Sequence, residues 1–460
     1  MSVVLAKVSQ LVKSKFLRDT GTLQVGAMLV SFGNLLSATG LAYLLGSHRQ
    51  GEFYVAIALY SLLWFTVNLG LVAVTVSKVA AALATKDRGE AAAWLAYLMK
   101  AYTLLGTLVA CAGVLILPWA AENVMNSRHE VGLFAGFLAL TPLLDIPRVV
   151  AGAGLQATRR MLPLTQSDNA FELVRVYLVL LGAVLTGDLR GPVIGSLCAS
   201  LIGSLLASAL YIRECKQIPE LLPSPGEILS RVRGVPIRKG IAIGLRMGAV
   251  QNLNAIGMQI LPALILKRFG SDSWVAYLRL AQRIMNLPLM LMQAVSRTAL
   301  PLFSKLAGTR DMRAMCQAYF RTSLFSGLTI GVGILAFMPM LPLVLRHAFK
   351  PEYREPIEQI CWILVPGYLV IAFSIANDTF YLVTGTLRVG ILVSVVGALI
   401  NLPLIGFLAW KFPTVGVAWG LTASMIWSAW HLFYAYLWYR GNVLGKPDTG
   451  PSTSAEKLPA

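Results

Sequence analysis

Long apolar runs recur along the whole chain, and they limit its fold more than any other feature. Only 13% of the 460 residues are charged, about half the share that is usual in a soluble domain. A helix needs about 20 mostly apolar residues to cross the hydrocarbon core of a bilayer, where its peptide groups must bond to one another. The sequence therefore predicts an all-α polytopic membrane protein with about twelve transmembrane helices. We place them at residues 22–46, 53–76, 93–119, 131–156, 169–187, 191–212, 241–267, 274–298, 315–345, 358–384, 389–410 and 415–438.

A long polar interruption at residues 213–239 divides the chain near its middle. It holds six Lys or Arg residues and four prolines, and we interpret it as a basic cytoplasmic linker. About six predicted spans lie on either side, in residues 21–212 and 240–440. The first and seventh spans share a Gly–Asn spacing, as in transporters built from two structural repeats. The layout therefore suggests that the chain starts the same architecture twice; the shared residues are Gly26 and Asn34 in one span, and Gly244 and Asn252 in the other.

Charge at the ends and in the loops predicts the orientation of the chain. Residues 1–20 are expected to form an amphipathic interfacial helix; the alternative is a basic flank that only sets topology. With the N-terminus inside, cytoplasmic segments collect about 22 Lys and Arg against about 9 in outer segments, which favours N-in and C-in. The net charge of +18 therefore does not indicate nucleic-acid binding. Residues 441–460 are polar and rich in Pro, Ser and Thr, which predicts a disordered cytoplasmic tail.

The fourth predicted span carries an acid and a base inside the membrane. Asp145 and Arg148 lie three residues apart, a spacing at which they can pair on one helix face. An ionisable residue at the bilayer centre costs about 2.5–3.5 kcal/mol on insertion scales, so such residues are candidate functional sites. One hypothesis is a cavity-lining face on which Asp145 carries a proton. The alternative is a structural ion pair between packed helices.

The eighth predicted span has an unpaired cationic face. Arg279, Arg283 and Asn286 recur at helical spacing, and no acid lies beside the arginines in sequence. Two arginines one turn apart repel each other, so an anionic substrate or an acid on another helix must neutralise them. The planar guanidinium fork matches the oxygens of a phosphate group. We therefore predict that these three residues line a substrate site.

Further polar residues extend the candidate site to other spans. Asn34 in the first span and Lys100 in the third are candidate substrate ligands. Asn252 lies on a glycine-rich face of the seventh span, which is equally typical of a packing seam between helices. Arg246 on the same span is either an entry-site ligand for phosphate or a side chain that reaches the headgroups. Asp378 in the tenth span is a second candidate ion carrier.

Bases outnumber acids within the predicted spans. This excess predicts a cationic cavity, which favours an anionic cargo. An exporter of organic cations is expected to show the opposite bias. The bases are Lys100, Arg148, Arg175, Arg246, Arg279, Arg283, Arg297 and Arg321, and the acids are Asp145, Glu172 and Asp378.

Three short motifs resemble those of a known group of transporters. They are the GEFY sequence of residues 51–54, the Tyr277-x-x-x-Ala281-x-Arg283-Ile284 pattern, and the LPLFS sequence of residues 300–304. With the overall layout, they make nearly the whole chain similar to the multidrug/oligosaccharidyl-lipid/polysaccharide (MOP) exporter superfamily. Within it, the chain resembles the O-antigen-type, Wzx-like polysaccharide flippases. The resemblance implies two six-helix bundles around a central cavity, as in MATE transporters, and alternating access.

The resemblance also implies a function and a location. The expected flippase moves an undecaprenyl-diphosphate-linked oligosaccharide from the inner to the outer leaflet of the bacterial cytoplasmic (inner) membrane. The product would serve O-antigen, lipopolysaccharide or exopolysaccharide synthesis. Candidate partners are the anionic lipid-linked substrate and polysaccharide polymerase and co-polymerase proteins. The relatives suggest coupling to a proton or sodium gradient, which makes Asp145 and Asp378 the candidate ion carriers.

Two other functions stay open on this evidence. A MATE-type multidrug or small-molecule antiporter would share the fold, and a membrane polysaccharide polymerase or glycosyltransferase is the alternative of another class. Short outer loops without a paired carboxylate argue against an enzyme. The five cysteines are scattered without a C-x-x-C pair, and no Walker A motif is present. We therefore predict no metal site, no cofactor and no nucleotide-driven transport.

Overall fold

The computed structural model describes residues 15–68, 70–237, 240, 252, 256–291, 303, 306 and 311–444. These residues form helices joined by short turns, with no strand among them, which confirms the predicted all-α fold. Most of the predicted interfacial helix, Arg246 and most of the predicted tail lie outside the described residues.

In chain order the helices are α1 Lys15–Val67, α2 Leu71–Ala84, α3 Arg88–Asn123, α4 His129–Leu138, α5 Thr141–Leu144, α6 Ile146–Ala157, α7 Met161–Thr186, α8 Arg190–Gln217, α9 Pro225–Arg231, α10 Leu261–Phe269, α11 Asp272–Leu291, α12 Met312–Phe337, α13 Leu341–Ala348, α14 Pro351–Ala372, α15 Asn377–Thr384, α16 Leu387–Lys411, α17 Gly416–Trp427 and α18 Ala429–Tyr439.

Helix α1 reverses direction at Gly46, whose φ of 75° and ψ of 171° interrupt the helical backbone. Glycine tolerates this positive φ because it has no Cβ. The Gln50 Nε2 atom lies 2.7 Å from the carbonyl oxygen of Ala38, whereas a straight helix would separate these residues by about 18 Å. The first two predicted spans are therefore two antiparallel arms of α1. We call the end of the molecule that carries this reversal the Gly46 end.

The second predicted span, residues 53–76, is broken in the structure. Its first part ends at Val67, and α2 begins at Leu71 after Gly70, which has a φ of 66°. Gly70 is the residue that precedes α2, and glycine tolerates this left-handed conformation, which is not helical. The prediction of one continuous helix is therefore wrong here, and the break leaves backbone carbonyl groups without helical partners.

The fourth predicted span, residues 131–156, consists of the three helices α4, α5 and α6. The segments on the two sides of Asp145 are bent by 43°. Pro142 and Pro147 lie in the first turns of α5 and α6. Proline has no backbone N–H and its ring collides with the preceding turn, so it bends or breaks a helix. Asp145 consequently lies at a joint between two helices instead of within one continuous helix.

The C-terminal half has similar interruptions. A π-helical turn at Ile256–Ile260 precedes α10, which has Pro262 in its first turn. A 3₁₀ turn at Met338–Met340 joins α12 to α13. Single π-helical turns are frequent at functional sites, and the turn at Ile256–Ile260 lines a cavity that is described below.

The surface of the helices suits a bilayer. Seven described helices are long and apolar enough to cross a membrane, or eight when the bent α4–α6 segment is one span. Large apolar side chains are exposed along them, as at Leu115 and Leu185, which are 77% and 75% exposed. Lipid tails are as apolar as leucine, so this surface is stable in lipid. With the two arms of α1 counted separately, these spans number nine. Helix α11 and the consecutive helices α17 and α18 lie where further spans are predicted.

The linker is docked on the N-terminal half. Helix α8 continues to Gln217, beyond the expected boundary at residue 212, and α9 lies within the linker. Arg88 at the start of α3 pairs with Glu227 in α9, with 2.8 Å between Nη2 and Oε2. A hydrogen bond from the backbone of Ser224, together with Arg88, lowers the pKa of Glu227. The linker is therefore anchored to the first bundle.

We expect the packing of α7 against α8 to depend on a glycine contact. A Cβ on Gly191 would lie 1.9 Å from the carbonyl oxygen of Gly182. Gly191→Ala should therefore lower the free energy of unfolding by about 1–3 kcal/mol, the usual cost of overpacking. The midpoint of thermal unfolding in detergent measures this loss. Gly333→Ala is the matched control, because a Cβ there meets no atom within 4 Å; equal midpoints for the two variants would contradict the tight contact.

Candidate functional site

The fourth predicted span contributes an ion pair to the interior of the N-terminal half. Arg148 Nη2 lies 2.9 Å from Asp145 Oδ2, so the two residues pair as their spacing predicts. Arg148 also lies 3.9 Å from Asp168 Oδ1, and its guanidinium carbon is 4.0 Å from the centroid of the Phe171 ring. Both acids and the ring therefore hold Arg148 in place. Because Asp145 lies at the bend between α5 and α6, a change in its charge would act directly on that joint.

A second ion pair lies on α7. Arg175 Nε donates to Glu172 Oε2 at 3.0 Å, and Arg175 Nη2 also contacts Glu172 Oε1. The same guanidinium donates to Asn34 Oδ1 at 2.6 Å. Arg175 and Glu172 are not among the residues predicted to line the site, although their spacing of three residues in a predicted span indicates an ion pair.

Asn34 connects this network to the C-terminal half. Its side-chain oxygen accepts from Arg175, and its backbone carbonyl accepts from Nη1 of Arg283 on α11. Its amide Nδ2 donates to the Val30 carbonyl at 3.0 Å. Asn34 and Arg283 are thus brought together, and Asn34 touches an arginine from each half of the chain.

Arg279 and Arg283 form the candidate anion site on α11. Among the described residues, no carboxylate oxygen lies within 4.0 Å of either guanidinium. Arg283 lies 5.5 Å from the centroid of the Tyr54 ring, and Arg279 is partly buried. Arg148 and Arg175 are each paired with an acid, so the positive charge of the described interior depends on Arg279 and Arg283. A buried charge without a partner is costly, which makes an anionic ligand the natural complement.

The two other predicted asparagines bond to different partners. Asn286, one turn further along α11, accepts a hydrogen bond from the Tyr368 hydroxyl at 2.8 Å. Asn252 Nδ2 donates to the carbonyl of Phe65 at 2.9 Å and also to that of Asn68. Asn252 therefore satisfies carbonyl groups that the break between α1 and α2 sets free.

The remaining predicted site residues lie elsewhere. Lys100 Nζ donates to the linker carbonyls of Arg233 and Val235 at 3.1 and 2.9 Å. Asp378 lines a separate cavity in the C-terminal half. Arg246 lies outside the described residues. The structure thus brings Asn34 and Arg283 into contact, places Arg279 and Asn286 on the same helix as Arg283, and gives Lys100 a contact with the linker.

The two halves are in contact at the Gly46 end. The Tyr353 hydroxyl donates to Gln50 Oε1 at 3.1 Å, and the backbone N–H of Ser47 donates to Glu352 Oε1 at 3.3 Å. A Cβ on Gly51 would lie 1.8 Å from the backbone oxygen of Asp272. Helix α1 and the C-terminal half can approach this closely only because residue 51 is glycine.

Ion pairs formed by two buried acids line the same contact. Glu52, which is 1% exposed, binds Arg128 through two hydrogen bonds of 2.7 and 2.6 Å, and this contact raises the pKa of Arg128. Lys267 Nζ lies 2.6 Å from Asp272 Oδ2. His48 lies between the two acids, 3.8 Å from Glu52 and 3.7 Å from Asp272. His48, Glu52 and Asp272 lie close enough together to bind a metal ion. Because each acid already has a cationic partner, we interpret the three residues as part of an ion-paired contact between the halves.

A cavity of about 270 Å³ lies within the C-terminal half. Helices α15, α16, α17 and α18 and the π-helical turn at Ile256–Ile260 form its walls. Its polar lining includes Asp378, Asn401, Ser424, Trp427 and His431. The Tyr381 hydroxyl contacts His431 Nδ1 at 2.8 Å.

The fold and this interior can be compared with known proteins. A family model described as "Polysaccharide biosynthesis protein" matches residues 16–307, and a model described as MatE matches residues 249–406. No curated protein matches the chain in sequence.

Several solved structures share the fold at low sequence identity. An inward-facing multidrug resistance MATE family transporter of the MOP superfamily is 15% identical with a TM-score of 0.64, over 91% of this chain and 95% of that one. A MOP superfamily transporter from Pyrococcus furiosus is 14% identical with a TM-score of 0.63, over 95% and 98%. The lipid II flippase MurJ in an inward closed conformation is 16% identical with a TM-score of 0.62, over 92% and 87%.

These similarities confirm the predicted superfamily and its helical architecture. The structural likenesses show the fold alone, whereas the family model covers more than half of the chain. The chain therefore belongs to the polysaccharide biosynthesis protein family, and it is a multi-pass membrane transporter of the MOP superfamily.

Proposed function

We propose that the protein moves an undecaprenyl-diphosphate-linked oligosaccharide from the inner to the outer leaflet of the bacterial cytoplasmic membrane. The observation that carries the proposal is the pair Arg279 and Arg283, without a carboxylate within 4.0 Å among the described residues. Guanidinium groups one turn apart match the oxygens of a diphosphate, which can accept several charge-assisted hydrogen bonds. The lipid tail would stay in the bilayer while the charged group crosses between the two halves.

The family supports this substrate class. Its model is described by polysaccharide biosynthesis, and one protein of the same fold is a lipid II flippase. A transporter of lipid-linked sugars would supply O-antigen, lipopolysaccharide or exopolysaccharide assembly. Polysaccharide polymerase and co-polymerase proteins are then the expected partners, because they use the product on the outer face.

Alternating access would act through the contacts between the two halves. We assign the Gly46 end to the outer face, by the positive-inside rule. The contacts of Gln50 with Tyr353 and of Gly51 with Asp272 then close the site toward the outer face in this conformation. A diphosphate bound at Arg283 would compete with the Asn34 carbonyl for the guanidinium, which links substrate binding to a contact between the halves.

A MATE-type antiporter is the second candidate function. It is favoured by the cavity around Asp378, Trp427 and Tyr381, because an acid beside aromatic rings suits an organic cation. A deletion strain separates the two functions. Accumulation of lipid-linked oligosaccharide on the cytoplasmic leaflet supports flipping, whereas normal surface glycan with changed efflux of small cations supports the antiporter.

The arginine pair gives a direct binding prediction. Arg279→Ala and Arg283→Ala should each weaken binding of undecaprenyl diphosphate by about ten-fold or more, because a hydrogen bond to a charged group contributes about 1.5–3 kcal/mol. Binding to purified protein in nanodiscs measures this. Arg321→Ala is the matched control, since Arg321 is exposed on α12. Unchanged affinity in both site variants would remove the proposed phosphate role.

The closure at the Gly46 end gives a prediction about conformation. Gly51→Val should hold the halves apart, because even a Cβ would overlap the backbone of Asp272. Nitroxides at Glu130→Cys and Glu355→Cys, with Cys111 and Cys198 replaced, should then show a longer distance by pulsed electron resonance. Gly333→Val is the control, with no atom near its Cβ. The same distance distribution in both variants would show that this contact does not set the closure.

The coupling ion has its own test. We propose Asp145, at the joint between α5 and α6, and Asp378 as ion carriers. In proteoliposomes, Asp145→Asn should abolish acceleration of transport by a proton or sodium gradient, because an amide cannot carry a proton or a charge. Asp188→Asn, at a half-exposed turn, should keep the acceleration. A fully gradient-dependent Asp145→Asn variant would exclude Asp145.

A further inference from the structure

The cavity of the C-terminal half contains polar groups that lack partners. Asn401 lies in the middle of α16, is 5% exposed and lines the cavity. Its amide makes no hydrogen bond to any described residue. Ser424, which is partly buried on α17, likewise makes no hydrogen bond to any described residue, whereas the Asp378 carboxylate is exposed. Burying an amide inside a membrane without a partner is costly, so a ligand that fills the cavity should supply the missing hydrogen bonds.

The other walls of the cavity are held in fixed positions. Trp427 Nε1 donates to the Val393 carbonyl at 3.2 Å, and a Cβ on Gly397 would lie 2.5 Å from the same Nε1. The edge of the indole is thereby fixed against α16. Asn377 Oδ1 accepts from the Tyr319 hydroxyl at 2.6 Å. The cavity therefore combines a rigid aromatic wall with free donors and acceptors.

This chemistry selects one class of ligand. An amide and a hydroxyl can each donate and accept, whereas a carboxylate only accepts. A phosphate is a poor occupant, because the described lining residues include the acid Asp378 and no Lys or Arg. A pyranose ring presents hydroxyl groups at its edge and an apolar C–H face that packs on an aromatic ring. Pockets for drug-sized ligands occupy about 300–1,000 Å³, so a cavity of about 270 Å³ suits one sugar ring better than a whole oligosaccharide.

The cavity adjoins the helix that carries the arginines. Met258, in the π-helical turn, lines the cavity, and its carbonyl accepts from Gln282 Nε2 at 3.3 Å. Gln282 immediately precedes Arg283 on α11. The wall of the cavity and the proposed diphosphate site are therefore in contact through neighbouring residues.

We infer that this cavity is a binding site for a neutral sugar unit of the transported glycan, with Asn401 and Ser424 as hydrogen-bonding groups and Trp427 as the packing face. The inference rests on the proposed function for the identity of the glycan carrier. It adds a glycan site within the C-terminal half, distinct from the arginines that would bind the diphosphate.

Saturation-transfer NMR on the full-length protein in nanodiscs tests the site, with free glucose, galactose and N-acetylglucosamine as probes. At least one probe should receive saturation from the wild-type protein. Asn401→Leu should reduce the transfer about five-fold or more, the loss expected for one hydrogen bond. Asn123→Leu is the matched control, because Asn123 is exposed on α3 and bonds to the Trp119 carbonyl. No transfer from the wild type, or equal loss in both variants, overturns the inference.

Two further measurements keep the result unambiguous. Asn401→Leu should unfold at the same or a higher temperature than the wild type, because it removes an unpartnered amide, so lost transfer is not lost folding. Ser424→Ala should also reduce the sugar signal, because it removes the second proposed hydrogen-bonding group; a full signal in both Ser424→Ala and Asn401→Leu would overturn the sugar site.

The outcome is separable from that of the flippase proposal. Binding of undecaprenyl diphosphate, which carries no sugar, reports on the arginines alone. Diphosphate binding without sugar binding overturns this inference and leaves the flippase proposal standing. Sugar binding without diphosphate binding does the reverse.

Discussion

Two positive charges on one turn of α11 set the conditions for the rest of this structure. Arg279 and Arg283 repel each other inside a membrane protein, and Arg283 is engaged only by a backbone carbonyl and the face of Tyr54 among the described residues. A buried guanidinium needs hydrogen-bond acceptors and a counter-charge. Elsewhere in the interior, Arg148 and Arg175 each form an ion pair with an acid. This contrast is the reason why we propose α11 as the site at which an anionic ligand supplies the missing counter-charge.

Asn34 shows how that charge can act on the conformation. It accepts from Arg175 in its own half through its side chain and from Arg283 through its backbone. The halves also meet at the Gly46 end, where Gly51 permits a close approach to Asp272. A ligand that draws Arg283 away from Asn34 would weaken one of the contacts between the halves. Substrate binding and movement of the halves are then parts of one electrostatic change.

The sequence was sufficient for the helical class, the layout of spans and the pairing of Asp145 with Arg148, because hydropathy and helical spacing are local properties. It did not predict that α1 is helical through its reversal, or that Gly70 and Pro147 break the second and fourth spans. Such breaks depend on which glycine adopts a positive φ and on how the neighbours pack. Lys100 was a candidate substrate ligand because it lies in a predicted span. Its contacts with Arg233 and Val235 instead depend on how the linker folds back onto the helices. The roles of Arg175 and Asn401 likewise depend on contacts between residues far apart in the chain.

The most direct test of the central claim is transport by the purified protein alone. Proteoliposomes would carry a fluorescent undecaprenyl-diphosphate-linked oligosaccharide in both leaflets, and a membrane-impermeant reagent would report the fraction that is accessible outside. If the protein is a flippase, the fraction of labelled lipid that is accessible outside should rise with the wild-type protein. With the Arg279→Ala, Arg283→Ala double variant, this fraction should stay at the level of protein-free liposomes. Equal accessibility with the wild type, the double variant and empty liposomes would contradict a flippase that binds its substrate through these arginines.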